Sequence, residues 1–416
     1  MAVSEAMPEA MQRPATGVTA PLGFAAGAAA AGIKHGMPTE AGSRLDVAVL
    51  YSEHPATAAA VFTTNKVKAA PVVISQLNLS GGTARAVVVN SGNANACTGS
   101  QGFKDALLMG KLAADELDLD PSQVLVASTG VIGRYLPMDR IREGVLSAAH
   151  TRSTLGGDVA AQAIMTTDTR SKQSSATFTH VGRHYTVGGM AKGSGMIHVN
   201  MATMLGFLTT DAAVAAPDLA AVLRRCADRT FNMVSVDGDM STNDMLTLLA
   251  NGAAGGPGLV EGDGLEEFEA ALLAVCVDLS RQLVRDAEGA TRMFTVEVVG
   301  ATTEQEARTL ARTVVSSSLV KAAIHGADPN WGRIVAALGR AGCEIVLDRL
   351  RVDIGGITVF RNGGGLAEAD LSHVARAFGA DEVGIVCDMG LGDGVATAYG
   401  CDLTPEYVHI NADYTT

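Results

Sequence analysis

Short runs of small and β-branched residues, each closed off by Gly, Asn, Pro or Ser, fill the first part of this chain, at 45–51, 59–63, 71–75 and 84–89. Such runs read as buried strands, because Val and Ala suit a pleated surface and the flanking residues interrupt it. Residues 103–119 switch to helical spacing, with Leu107, Leu108, Leu112, Ala113 and Leu117 forming the apolar positions of an amphipathic helix. A short strand at 124–127 runs straight into Ser128-Thr129-Gly130, and alternation at 176–181 and 184–190 predicts a hairpin about Gly182-Arg183. An apolar strand follows at 201–209, then helices at 219–229 and 265–285. The order after about residue 293 is strand 294–299, helix 304–317, strand 344–347, helix 366–378 and strand 383–387. This mixture predicts α/β or α+β layers, without the regular βα repeat of a barrel. A boundary near 285–295 divides a larger domain, 17–290, from a smaller α/β domain, 291–416, and residues 1–16 are expected to be a mobile lead-in.

The layers must lie close together. Aromatic residues are only 4% of the chain while Gly numbers 47, so Ala, Val and Gly build the core. The same scarcity leaves little surface for stacking bases, and a net charge of −13 repels phosphate backbones, so nucleic-acid binding is excluded. Cys97, Cys226, Cys276, Cys343, Cys387 and Cys401 are scattered, without a CxxC pair or zinc-finger spacing, which predicts reduced, mostly buried thiols and no metal site. The start of the chain lacks the basic residues of a secretory signal, and the run at 24–32 (FAAGAAAAG) is too short to span a membrane. A cytoplasmic protein without membrane partners is expected.

The chemistry concentrates at 188–205, GGMAKGSGMIHVNMATML, where four glycines surround Lys192 and an apolar run holds Thr203. No Gly-Lys pair exists here, so a phosphate loop is ruled out, and Gly193-Ser194-Gly195 lacks the third glycine of a dinucleotide fingerprint. A threonine is a weak nucleophile unless a base takes its proton, and its own α-amino group can serve once the residue becomes N-terminal. That requires the bond between Ala202 and Thr203 to break, and Ala202 leaves its carbonyl open to the Thr203 hydroxyl. An oxyanion hole is the second requirement, and Ser128-Thr129-Gly130 at a strand's end offers a hydroxyl and an unobstructed N–H. Such a donor contributes about 3 kcal/mol to the transition state.

STGVIG (128–133), MTTDT (165–169), GGMAKGSGM (188–196), NMATML (200–205), AEGAT (287–291), HGADPNWGR (325–333) and NADYTT (411–416) occur in one order along nearly the whole chain. Together they resemble the ornithine acetyltransferases, or glutamate N-acetyltransferases, of arginine biosynthesis. The resemblance implies an αββα-type sandwich of the aminopeptidase and ornithine acetyltransferase kind, self-cleaved between Ala202 and Thr203. It makes Thr203 the nucleophile and Thr129 and Gly130 the oxyanion donors. It lines the substrate site with Thr166, Lys192, Thr203, Glu288, Asn411 and Thr416. Lys192 suits a carboxylate and Glu288 the ornithine δ-ammonium, while Asn411 and Thr416 fix polar ends. No cofactor is implied, although acetyl-CoA can be a second donor, and the assembly implied is an α2β2 heterotetramer of two cut copies. Four positions depart from the family pattern: His198-Val199 for Ala-Pro, Ala287 for Gly and Arg292 for Lys. His198 is expected to be a structural histidine. Two other functions remain open from the sequence: an amidohydrolase that uses water as acceptor, and an uncut amino-acid-binding protein.

Overall fold

The computed structural model describes residues 16–34, 45–198, 204–367, 369 and 371–413. The lead-in before residue 16, the 202–203 bond, Thr203 and Thr416 therefore lie outside the described residues.

The strands in chain order are β1 (Phe24–Ala29), β2 (Val47–Phe62), β3 (Thr83–Asn93), β4 (Val124–Val131), β5 (Lys172–His180), β6 (Arg183–Lys192), β7 (Leu205–Thr210), β8 (Val234–Ser235) and β9 (Met245–Ala250). They continue with β10 (Met293–Ala301), β11 (Arg351–Ile354), β12 (Ile357–Arg361), β13 (Gly364–Gly365), β14 (Glu382–Asp388) and β15 (Gly394–Cys401). The helices are α1 (Ala70–Asn78), α2 (Gly99–Leu117), α3 (Met138–His150), α4 (Gly157–Ala163), α5 (Ala216–Arg229), α6 (Leu265–Arg285), α7 (Glu304–Val315), α8 (Ser318–His325), α9 (Trp331–Gly339), α10 (Leu371–Phe378) and α11 (Pro405–Asp413).

The first sheet has the order β4-β3-β2-β9-β7-β6-β5, with β1 also paired to β2. Alternation in β3 and β4 sends Val88 and Val126 toward α2 and α3, and Val87 and Leu125 toward the opposite core with Phe24 and Phe207. A third core buries Leu208, Leu246 and Leu248 against Leu223, Phe268, Leu272 and Leu279 of α5 and α6. The second sheet, β13-β12-β11-β14-β10-β15-β8, is packed by α7, α8, α9 and α10. The chain is thus a layered α/β protein, as its sequence pattern indicates. Strands β7 and β9, which follow residue 203, pair directly and lie between β2 and β6, which precede it.

Several local expectations change. Residues 71–75 are helix α1, because Pro71 occupies the first helical turn, where its missing N–H is no loss, and Val72 and Ile74 are buried in two different apolar clusters on its two sides. The runs at 45–51 and 59–63 are one long strand, β2, whose register shifts between Tyr51 and Ala56. The hairpin turns on Val181-Gly182, both at positive φ, rather than on Gly182-Arg183. Residues 344–347 are not a strand: Val346 O accepts from Arg349 N and Leu350 N in a turn that leads into β11. The last described segment is helix α11. The thiols are free, and four are buried; Cys343 is half-buried and Cys97 exposed.

Candidate active site

The last half of β4 carries Ser128-Thr129-Gly130, next to β3. Gly130 has φ +128°, and a Cβ there would collide with the backbone of Gly92 and Asn93, so only glycine fits. Ser128 Oγ donates to Asn90 Oδ1 at 2.5 Å, and Asn243 Nδ2 donates to Ala94 O at 2.7 Å and to Ser128 O at 2.8 Å. The backbone around Thr129 is therefore held from both sides.

β6 ends on Lys192, which is buried, and its Nζ donates to Thr166 Oγ1 at 2.7 Å and to Thr129 Oγ1 at 3.4 Å. Thr166 is fixed by Asp168, whose Oδ2 accepts the Thr166 N–H at 3.0 Å. Glu288 sits on the loop after α6. Its N–H donates to Ser194 O, and its carboxylate lies over Gly195, where a Cβ would collide with it. Asn411 on α11 donates to Glu288 Oε2 at 2.9 Å.

These residues line one cavity of about 240 Å³: Thr129, Gly130, Thr166, Lys192, Glu288 and Asn411 all face it. β7 begins at Leu205, directly across from Lys192, so that strand starts at the cavity end of β6. A wider chamber of about 770 Å³ adjoins it and shares Thr167 and Glu288 with it.

Several contributing residues carry no motif signal of their own. Asp237 accepts the N–H groups of Met196 and Ile197, holding Met196 at positive φ beside the cavity. Burial pushes its carboxyl up. Asp244 Oδ1 accepts the Met204 N–H at 3.0 Å, and burial pushes that carboxyl well up too, against the pull of Met204 N–H and Lys192. The stretch DGDMSTND, 237–244, is the available signal: acids and amides crowded between two apolar runs. Burial lowers the Lys192 ammonium, Asp168 pulls it back up, and Lys172 lowers it further.

The remaining candidates lie elsewhere. His198 pairs with Ser235 Oγ through Nδ1 at 3.1 Å, and burial lowers its imidazole, so it serves the junction with the second sheet. Arg292 donates to Ile324 O and His325 O, the C-terminal carbonyls of α8. His325 meets Asp402 at 2.9 Å, away from the cavity. Among the described residues, no three His, Cys, Asp or Glu side chains converge as a metal site would need, and no helix is long and apolar enough to cross a membrane.

The ArgJ family model matches residues 25–416. This chain belongs to the ArgJ family. The arginine biosynthesis bifunctional protein ArgJ of Symbiobacterium thermophilum is 51% identical to it, over 97% of this chain and 99% of that one. The protein of the same name from Dehalococcoides mccartyi is 48% identical, over 96% and 97%. A solved ornithine acetyltransferase from Mycobacterium tuberculosis, complexed with ornithine, is 40% identical over 46% of this chain and 96% of that one, with a TM-score of 0.38. As a member of the ArgJ family the chain is an N-acetyltransferase of arginine biosynthesis, acting on small molecules.

Proposed function

We propose that this enzyme moves the acetyl group of N2-acetyl-L-ornithine to L-glutamate in two steps through an ester on Thr203. The observation that carries the reading is the convergence of Thr129, Gly130, Thr166, Lys192, Glu288 and Asn411 on one small cavity, with a cation and an anion facing it. Residue 203 lies two positions before Leu205, which pairs with Lys192 at the cavity wall, and this supports Thr203 as the nucleophile.

Cleavage comes first. The Thr203 hydroxyl adds to the Ala202 carbonyl, the peptide C–N bond breaks in an N-to-O shift, and water hydrolyses the ester to free the Thr203 amine. In catalysis that amine takes the hydroxyl proton as Oγ attacks the acetyl carbon. Thr129 and the Gly130 N–H stabilise the oxyanion. The C–N bond to ornithine breaks, with the proton passing to the leaving nitrogen. The glutamate amine then attacks the acetyl ester and restores Thr203. Lys192 meets the α-carboxylate of either substrate. Glu288, held by Asn411, meets the ornithine δ-ammonium, and Thr416 closes the polar end. No cofactor takes part.

The wider chamber beyond Glu288 gives room for a bulkier acetyl donor, which supports acetyl-CoA as a second donor for glutamate. Residues 17–290, cut at 202–203, form the catalytic domain and 291–416 the smaller one, and two cut copies assemble as an α2β2 heterotetramer in the cytoplasm. The test is Thr203→Ala. The variant is expected to stay a single chain by intact mass and to form no acetylglutamate from acetylornithine and glutamate, whereas a Thr203→Ala protein that transfers acetyl overturns the reading. Free acetate in place of acetylglutamate from the parent enzyme would make it a hydrolase.

A further inference from the structure

Behind Lys192 lies a buried ionic network that the mechanism above does not use. Asp168 is completely enclosed. Its Oδ1 accepts from Lys172 Nζ at 2.6 Å and from Gly193 N at 2.7 Å, and its Oδ2 lies 3.9 Å from Lys192 Nζ. Lys172, equally buried, also meets Asp286 at 2.5 Å. Asp286 in turn accepts from the backbone N–H groups of Thr169 and Arg170, and its carbonyl accepts from Ser194 Oγ. Ser194 O holds the Glu288 N–H. One network therefore ties the carboxylate-binding end of the site to the ammonium-binding end.

Burying three charges is a poor way to stabilise a fold, since desolvation offsets most of the attraction. Its arrangement makes better sense as control of a fourth charge. An amine enclosed like Lys192 tends to lose its proton, and a neutral amine cannot hold a carboxylate. We propose that Asp168 and Lys172 are positioning residues of the transferase: Asp168 holds Lys192 as the cation that meets the substrate carboxylate, and Lys172 shares Asp168 and limits that hold. The proposal rests on the reading of Lys192 given above. Burial resists the charge on Asp168, but Lys172, Lys192 and the Gly193 N–H outweigh it and keep the carboxyl ionised. The titratable groups facing Lys192 are Asp168, Lys172, Glu288 and Asp244, with Lys34 beyond β1.

The two residues make opposite predictions for the alkaline limb of kcat/KM, where Lys192 deprotonates. Asp168→Asn removes the attraction, so the limb moves down by about one pH unit or more. Lys172→Gln removes a repelling neighbour and frees Asp168 for Lys192, so the limb moves up. The experiment measures kcat/KM for N2-acetylornithine against pH in both variants and in Lys192→Met, with intact mass to confirm that each has cleaved itself. The substrate ammonium is common to all of them, so a shift between variants belongs to the enzyme. Opposite shifts, with a raised KM in Lys192→Met, support the proposal. A raised KM in Lys192→Met with shifts that are absent or in one direction overturns it while leaving Lys192 as the carboxylate site. An unchanged KM in Lys192→Met overturns the underlying reading. If Asp168→Asn does not fold, Lys172→Gln alone decides, and only an upward shift supports the proposal.

Discussion

Gly195 shows how a single missing side chain shapes this site. Its φ is not in the left-handed region, so alanine suits its backbone, but a Cβ would occupy the space of the Glu288 carboxylate. Gly195→Ala is therefore expected to fold and cleave normally yet to displace Glu288 from its bond with Asn411. Loss of a charge-assisted contact of this kind raises KM for acetylornithine roughly 10-fold or more. KM for glutamate, which has no δ-ammonium, should change little. Equal effects on both substrates in steady-state kinetics would remove Glu288 from the ammonium role. Gly130 is less forgiving, since its collision partners are backbone atoms with nowhere to go.

The oxyanion candidates depend on how β3 and β4 end, and Asn243 spans that junction through two carbonyls. Asn243→Ala leaves both buried and unsatisfied, which costs about 2–3 kcal/mol of stability. If the junction also aligns Thr129 and Gly130, kcat falls by roughly 10². Thermal melts and kinetics on one preparation separate the two effects, and a destabilised variant with normal kcat would detach the junction from catalysis. Much of this was legible in the chain. Periodicity alone predicts helix α6 with the ends it has, and alternation predicts the hairpin of β5 and β6 with its turn one residue late, because each rests on local periodicity. The composition of Val72, Val73 and Ile74 predicts a strand where helix α1 stands, and Pro71 in the first turn together with tertiary packing decides for the helix. Motifs led to Lys192, Glu288 and Asn411. The supporting acids Asp237 and Asp244 meet backbone N–H groups about forty residues away, and Asp168 reaches Gly193 and Lys192 as well as its neighbour Lys172, pairings that no periodicity encodes.

At the scale of the molecule, the proposed cut has little freedom to separate the two pieces. β7 and β9 lie between β2 and β6, so strands from after residue 203 are hydrogen-bonded on both sides to strands from before it. The cut protein is expected to elute as one species and to melt in one transition, the fragments parting only in denaturant. Two transitions by calorimetry would mean that the interleaved sheet is not cooperative. This interleaving also explains why the site draws on both sides of the proposed cut, with Thr129, Thr166 and Lys192 before it and Glu288 and Asn411 after it. The most direct test is intact mass of the purified enzyme after exposure to N2-acetylornithine without glutamate. The account predicts two fragments meeting between Ala202 and Thr203, with the C-terminal one heavier by a single acetyl group that is lost when glutamate is added. A single uncut chain that turns over normally, or an acetyl group on the N-terminal fragment, would contradict it.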